Sequence, residues 1–131
     1  MKYFTITELS KSSTAAQKGI DNTPNPDVIK NLESLVEHIL DPLREKFGKP
    51  ITVNSGYRCP ALNKAVGGSK TSHHMTGLAA DITGGSVARN RILFSLIQEL
   101  NLPFDQLIDE KNYKWIHVSF SEKPRKQILH L

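Results

Sequence analysis

Two histidines and one aspartate stand where their chemistry has to be accounted for: His74, Asp81 and His117. Asp81 lies inside Leu78-Ala79-Ala80-Asp81-Ile82, an apolar run in which an unpaired carboxylate is costly, because burial disfavours its charged form. His117 sits similarly in Trp115-Ile116-His117-Val118-Ser119-Phe120, alternating with Ile116 and Val118 and so facing away from them on a strand. His74 precedes Asp81 by seven residues, in a loop leading into the first run. Gly77 and the small Ala79 and Ala80 permit close backbone approach there. Two imidazoles and a carboxylate suit a catalytic zinc with its fourth position open to water. Structurally satisfied burial of the same three residues is the competing explanation.

The remaining candidates are weaker. His38 falls off the apolar stripe of a long helix and His130 is penultimate, so both read as surface, the latter where chain ends fray. His73 is expected to be solvated. Cys59 is the sole cysteine, which excludes an intrachain disulfide, and no base is placed beside it to make it a nucleophile. Alkylating Cys59 is therefore expected to leave any hydrolytic activity nearly intact, as a rate assay before and after treatment would show.

The elements that must position these residues follow from periodicity. Thr7–Lys11 is expected as a short helix capped by Thr7, within a polar segment 1–26 broken by Gly19, Pro24 and Pro26. Asn25-Pro26-Asp27 opens a helix whose stripe is Val28, Leu32, Leu35, Val36, Ile39, Leu43 and Phe47. Pro42 should kink or split it, and Gly48 and Pro50 stop it. Ile51–Val53 and Leu78–Thr83 read as strands, and Pro60–Val66 as one or two helical turns. Ser86 caps a helix to about Leu100, with Val87, Ile92, Leu93, Leu96, Ile97 and Leu100 on one face. Phe104–Glu110 and Trp115–Phe120 form a hairpin around Lys111–Lys114, and the tail from Pro124 is expected to add a helical turn. The pattern is α+β: helices packed around one small, largely antiparallel sheet.

With 131 residues, the chain has the length of a single domain, taken here as 1–131. Its 38% hydrophobic and 23% charged composition excludes wholesale disorder and fibrous repeats. The net charge of +4 is spread along the chain without the basic stripe of a nucleic-acid reader. No apolar run approaches the ~20 residues of a membrane span, so no membrane insertion is expected. The first residues lack the apolar stretch of a secretory leader, so a cytoplasmic location as synthesised is expected.

Ser72-x-His74-x-x-Gly77-x-Ala79-x-Asp81, followed by Trp115-x-His117, resembles the signature of the M15 zinc peptidases. That family includes D-alanyl-D-alanine carboxypeptidases and phage endolysin peptidases that cut bacterial cell-wall peptides. The likeness runs from about residue 28 onward. It takes in Asn54-Ser55-Gly56-Tyr57-Arg58, Asn63-Lys64-Ala65-Val66-Gly67-Gly68-Ser69 and Phe104-Asp105-Gln106-Leu107-Ile108-x-Glu110.

The resemblance implies a hedgehog/DD-peptidase fold, with His74, Asp81 and His117 as ligands of Zn2+. It makes Arg58 the residue that binds a substrate carboxylate or steadies an oxyanion, unless it forms only a structural ion pair. Ser72 would orient the site. Several relatives carry an acid three residues before the last histidine ligand, but here Lys114 stands there. The nearer match nominates Glu110 as general base, with Asp109 as competitor, since strand neighbours face opposite sides. The implied function is hydrolysis of peptidoglycan peptides by a monomeric enzyme that reaches the wall after release by another protein. The alternative is a non-catalytic, zinc-stabilised module of the same fold. Glu110 discriminates: facing the metal site it supports the enzyme, facing solvent the binder.

Overall fold

A computed structural model describes residues 1–131. Its centre is the long helix that Asn25 opens by accepting from the Val28 N–H at 2.9 Å. The helix runs as α3 (Pro26–Leu35), a π-helical turn (Val36–Leu40) and α4 (Asp41–Phe47). Pro42 does not split it. Proline has no N–H to give the preceding turn, and the chain widens there until the Asp41 N–H reaches the Val36 carbonyl. Leu32, Leu35, Val36, Ile39, Leu40 and Leu43 are fully buried along this stripe.

The segment before it contributes to the core. Thr5, not Thr7, caps α1 (Ile6–Ser10), because Glu8 completes a reciprocal capping box with it. A second helix, α2 (Ser13–Lys18), follows unforeseen, capped by Ser12. Phe4 and Leu9 join the main core cluster.

Five strands form one sheet in the order β1-β2-β4-β3-β5: β1 (Thr52–Ser55), β2 (Ala79–Thr83), β3 (Phe104–Glu110), β4 (Trp115–Phe120) and β5 (Gln127–His130). The first three pairings are antiparallel, but β5 runs parallel to β3, so the sheet is mixed. The C-terminal tail is therefore a strand rather than a helical turn. Isolated tetrapeptides carry too little periodicity to distinguish the two, and the open edge of β3 supplies the hydrogen bonds. His130 is exposed as expected, but it is held in β5 and pairs with Asp109 instead of fraying.

One sheet face carries Ala80, Ile82, Leu107, Ile116 and Val118 into the core beneath the helices. A β-bulge between Phe104 and Leu107 changes the parity of β3. Phe104 thereby enters the core, while Gln106, Ile108 and Glu110 line a cleft on the other face.

Two further helices complete the frame: α5 (Pro60–Ala65) and α6 (Val87–Glu99). Ser86 caps α6 as expected, but its inner face is Asn90, Leu93, Phe94 and Ile97, leaving Val87 and Ile92 exposed. A polar Asn90 on the buried side hid this i, i+3, i+4, i+7 row from hydrophobic pattern matching. The Asn90 amide donates to the Tyr113 and Lys114 carbonyls at 2.8 and 3.1 Å, and its oxygen accepts from the Gly84 N–H at 2.7 Å. It therefore ties the hairpin turn, where Lys111, Asn112 and Tyr113 all have positive φ, to the start of α6. Asn90→Ala strands these groups in the interior, and its expected loss is about 2–4 kcal/mol by denaturant titration.

Candidate active site

The cleft is built on the sheet face opposite the core. In the strand register Asp81 of β2 lies beside His117 of β4, which lies beside Ile108 of β3. Glu110 pairs with Trp115, two residues along from His117, so its side chain emerges on the same face.

His74 arrives from outside the sheet, on a 3-10 turn (His73–Thr76) that Ser72 opens by accepting from the His74 N–H at 3.2 Å. Gly77 closes the turn with φ +80°, pressed against Val28 and Leu32. A side chain there would be strained and crowded at once. The ring is almost fully buried and its Nδ1 donates to the Gly56 carbonyl at 2.7 Å. A carbonyl can only accept, so in the neutral ring this bond fixes the tautomer and leaves a bare lone pair on Nε2. Gly56 itself must be glycine, because a Cβ would collide with the Leu9 carbonyl, which takes the Tyr57 N–H at 2.7 Å.

The three polar atoms converge. His74 Nε2 and His117 Nδ1 lie 3.2 and 3.0 Å from Asp81 Oδ1, and the one ligand atom of each residue lies within 4.8 Å of the others. Burial pushes the Asp81 pKa up, but the hydrogen bond from His117 leads the effects that outweigh it, holding the carboxyl well below the usual range. Asp81 is thus an anion facing two imidazole nitrogens, one already committed as an acceptor. Two nitrogens and one carboxylate oxygen, half-enclosed at a cleft floor, fit a divalent metal of the zinc type.

The structure brings the other expected residues to this centre. Arg58, Ser72, Glu110 and Trp115 line the same cleft, a space of about 730 Å³. Arg58 is anchored through its backbone N–H to the His74 carbonyl at 3.0 Å, and its buried Nε has no partner. Burial lowers its pKa, opposed by the charge of Asp81. Buried Asn22 steadies the loop, donating to the Tyr57 carbonyl and accepting from the Cys59 N–H at 2.8 Å. Cys59 is occupied as the cap of α5, its sulfur accepting from the Leu62 N–H. Asp109 turns to the opposite face and pairs with His130, away from the metal-type centre.

His73 differs from expectation: it is half-buried and lines the cleft, 4.0 Å from Asp105. Asn90 carries no signal in the sequence, and Asp105, Gln106 and Arg125 carry none that assigns them a role at the site. Asp105 and Asp109 carried the same signal as Asp81, an acid inside an apolar strand. The three are satisfied differently, by Arg125, by His130 and by two histidines.

A half-buried N,N,O centre beneath an open cleft, flanked by a carboxylate and a guanidinium, defines a metallohydrolase-type site. The family model of Peptidase M15 matches residues 2–119, and the chain belongs to the M15 peptidases. A stretch of 48 residues is 50% identical to the zinc D-Ala-D-Ala carboxypeptidase of Streptomyces albus G. That stretch is 36% of this chain and 19% of the relative. No helix is long and apolar enough to cross a membrane.

Proposed function

We propose that this protein is a zinc-dependent peptidase hydrolysing an amide bond in the stem peptides of bacterial peptidoglycan. The observation that carries this reading is the shared cleft, in which the His74–Asp81–His117 centre opens beside Glu110 and Arg58. A zinc ion held there would polarise the scissile carbonyl and acidify a water molecule. Glu110 is the carboxylate on the cleft face that can take the water's proton and return it to the leaving amine. Arg58 supplies a permanent cation for the oxyanion or for a substrate carboxylate. Ser72 and Gly56 hold His74 in the orientation that this chemistry requires.

A second hollow of about 630 Å³ also borders Arg58 and Asp81, walled by residues of α2, β1 and α5. The two hollows share Arg58, Val66 and Asp81, and this added space for a longer peptide favours an internal bond over a terminal D-alanine. The net charge of +4 would assist approach to an anionic wall. The test is mass spectrometry of peptidoglycan and soluble muropeptides after incubation with the zinc-loaded protein, with His74→Ala as control. New internal amines absent from the control are expected. Loss of a terminal D-alanine would reassign the enzyme as a carboxypeptidase. An uncleaved substrate with zinc bound one-to-one would make the protein a binding module.

A further inference from the structure

The cleft holds a second guanidinium, beyond the residues that the family model matches. Arg125 lies in the turn before β5, and its side chain borders the same space as His74, His117 and Glu110. Its orientation is set by Asp105, at the β-bulge of β3. Asp105 Oδ1 accepts from the Arg125 backbone N–H and Nε at 3.0 Å each, and Oδ2 accepts from Nη2 at 2.8 Å. The Asp105 side chain is only 7% exposed, whereas that of Arg125 is 56% exposed. The buried acid therefore acts as a fixed mount, and Nη1, which has no partner within the protein, remains available to solvent or ligand.

Charge complements this geometry. The Arg125 fork holds the Asp105 carboxyl well below its usual pKa, assisted by the backbone bond against burial. Arg58 and Arg125 are the only permanent cations bordering the cleft, one beside Asp81 and the other on the β3–β5 side. A guanidinium already oriented by two bonds loses little further freedom on meeting an anion, and its planar fork matches a carboxylate.

We propose that Arg125, mounted on Asp105, is a substrate-binding residue that reads a free carboxylate away from the scissile bond and so selects acidic peptides. The inference rests on the peptidase reading for the identity of its ligand, but its test includes binding as well as turnover.

The probes are synthetic peptidoglycan stem peptides in which each carboxylate is amidated in turn. They are assayed for hydrolysis by zinc-loaded wild type and Arg125→Gln, and for binding by calorimetry. One amidation is expected to raise wild-type KM and Kd about ten- to hundredfold, with kcat changed little. Arg125→Gln should show that same weakening with the free acid and no further loss with the amide. Arg125→Lys, which keeps a cation over Asp105, should recover part of the affinity, and it carries the test if the glutamine variant does not fold. Equal discrimination between acid and amide in wild type and variant would overturn the proposal, leaving Arg125 a lock for the tail. No measurable binding of any peptide would overturn it too. Carboxylate-dependent binding without cleavage would instead retain Arg125's role and remove the peptidase reading.

Discussion

Glu110→Gln is expected to bind one zinc per chain and to lose about 10²–10⁴-fold in kcat. The substitution preserves the shape of the side chain and removes only its capacity to accept a proton. The Glu110 side chain has no hydrogen-bond or ion-pair partner within the protein and is not a member of the ligand cluster, so folding and metal content have no reason to change. The informative companion is Asp109→Asn. That carboxylate is buried on the other face and paired with His130, so its loss should appear in stability while the turnover of folded protein stays near wild type. Metal analysis, thermal melting and single-turnover rates on both variants separate the roles. Full activity in Glu110→Gln would move the base elsewhere, and loss of zinc in that variant would make Glu110 a ligand.

The contrast between those neighbouring acids shows what the sequence could and could not reveal. Strand alternation required Glu110 and Asp109 to face opposite ways, but it could not say which faced the histidines. That depends on the register of β3 against β4, where Ile108 sits opposite His117, and on the bulge near Asp105. His74, Asp81 and His117 were legible because a polar residue in an apolar strand, or a histidine beside a required glycine, signals locally. The long helix was legible from its stripe, its Asn25 cap and its stop. Arg125 was not, since a lysine- and arginine-containing tail reads as solvated surface until β5 is seen to fold back along β3. Asn90 was hidden for a related reason. Its buried amide serves backbone carbonyls more than twenty residues away, and no local pattern records a partner at that separation.

Zinc is expected to raise the melting temperature of the wild-type protein and to leave that of Asp81→Asn nearly unchanged. A ligand that binds only the folded state at a thousandfold excess over its Kd adds about 4 kcal/mol. For a domain of this size that corresponds to on the order of 15 °C. Asp81 is central because its Oδ1 lies within 3.2 Å of both imidazole nitrogens, so it supplies the anionic ligand and the only negative charge in the triad. Asparagine keeps the volume and loses that charge. A carboxyl held well below its usual pKa remains ionised throughout mild acidification, so Asp81 keeps its negative charge there. A zinc-dependent rise that survives in Asp81→Asn would place the metal elsewhere on the molecule.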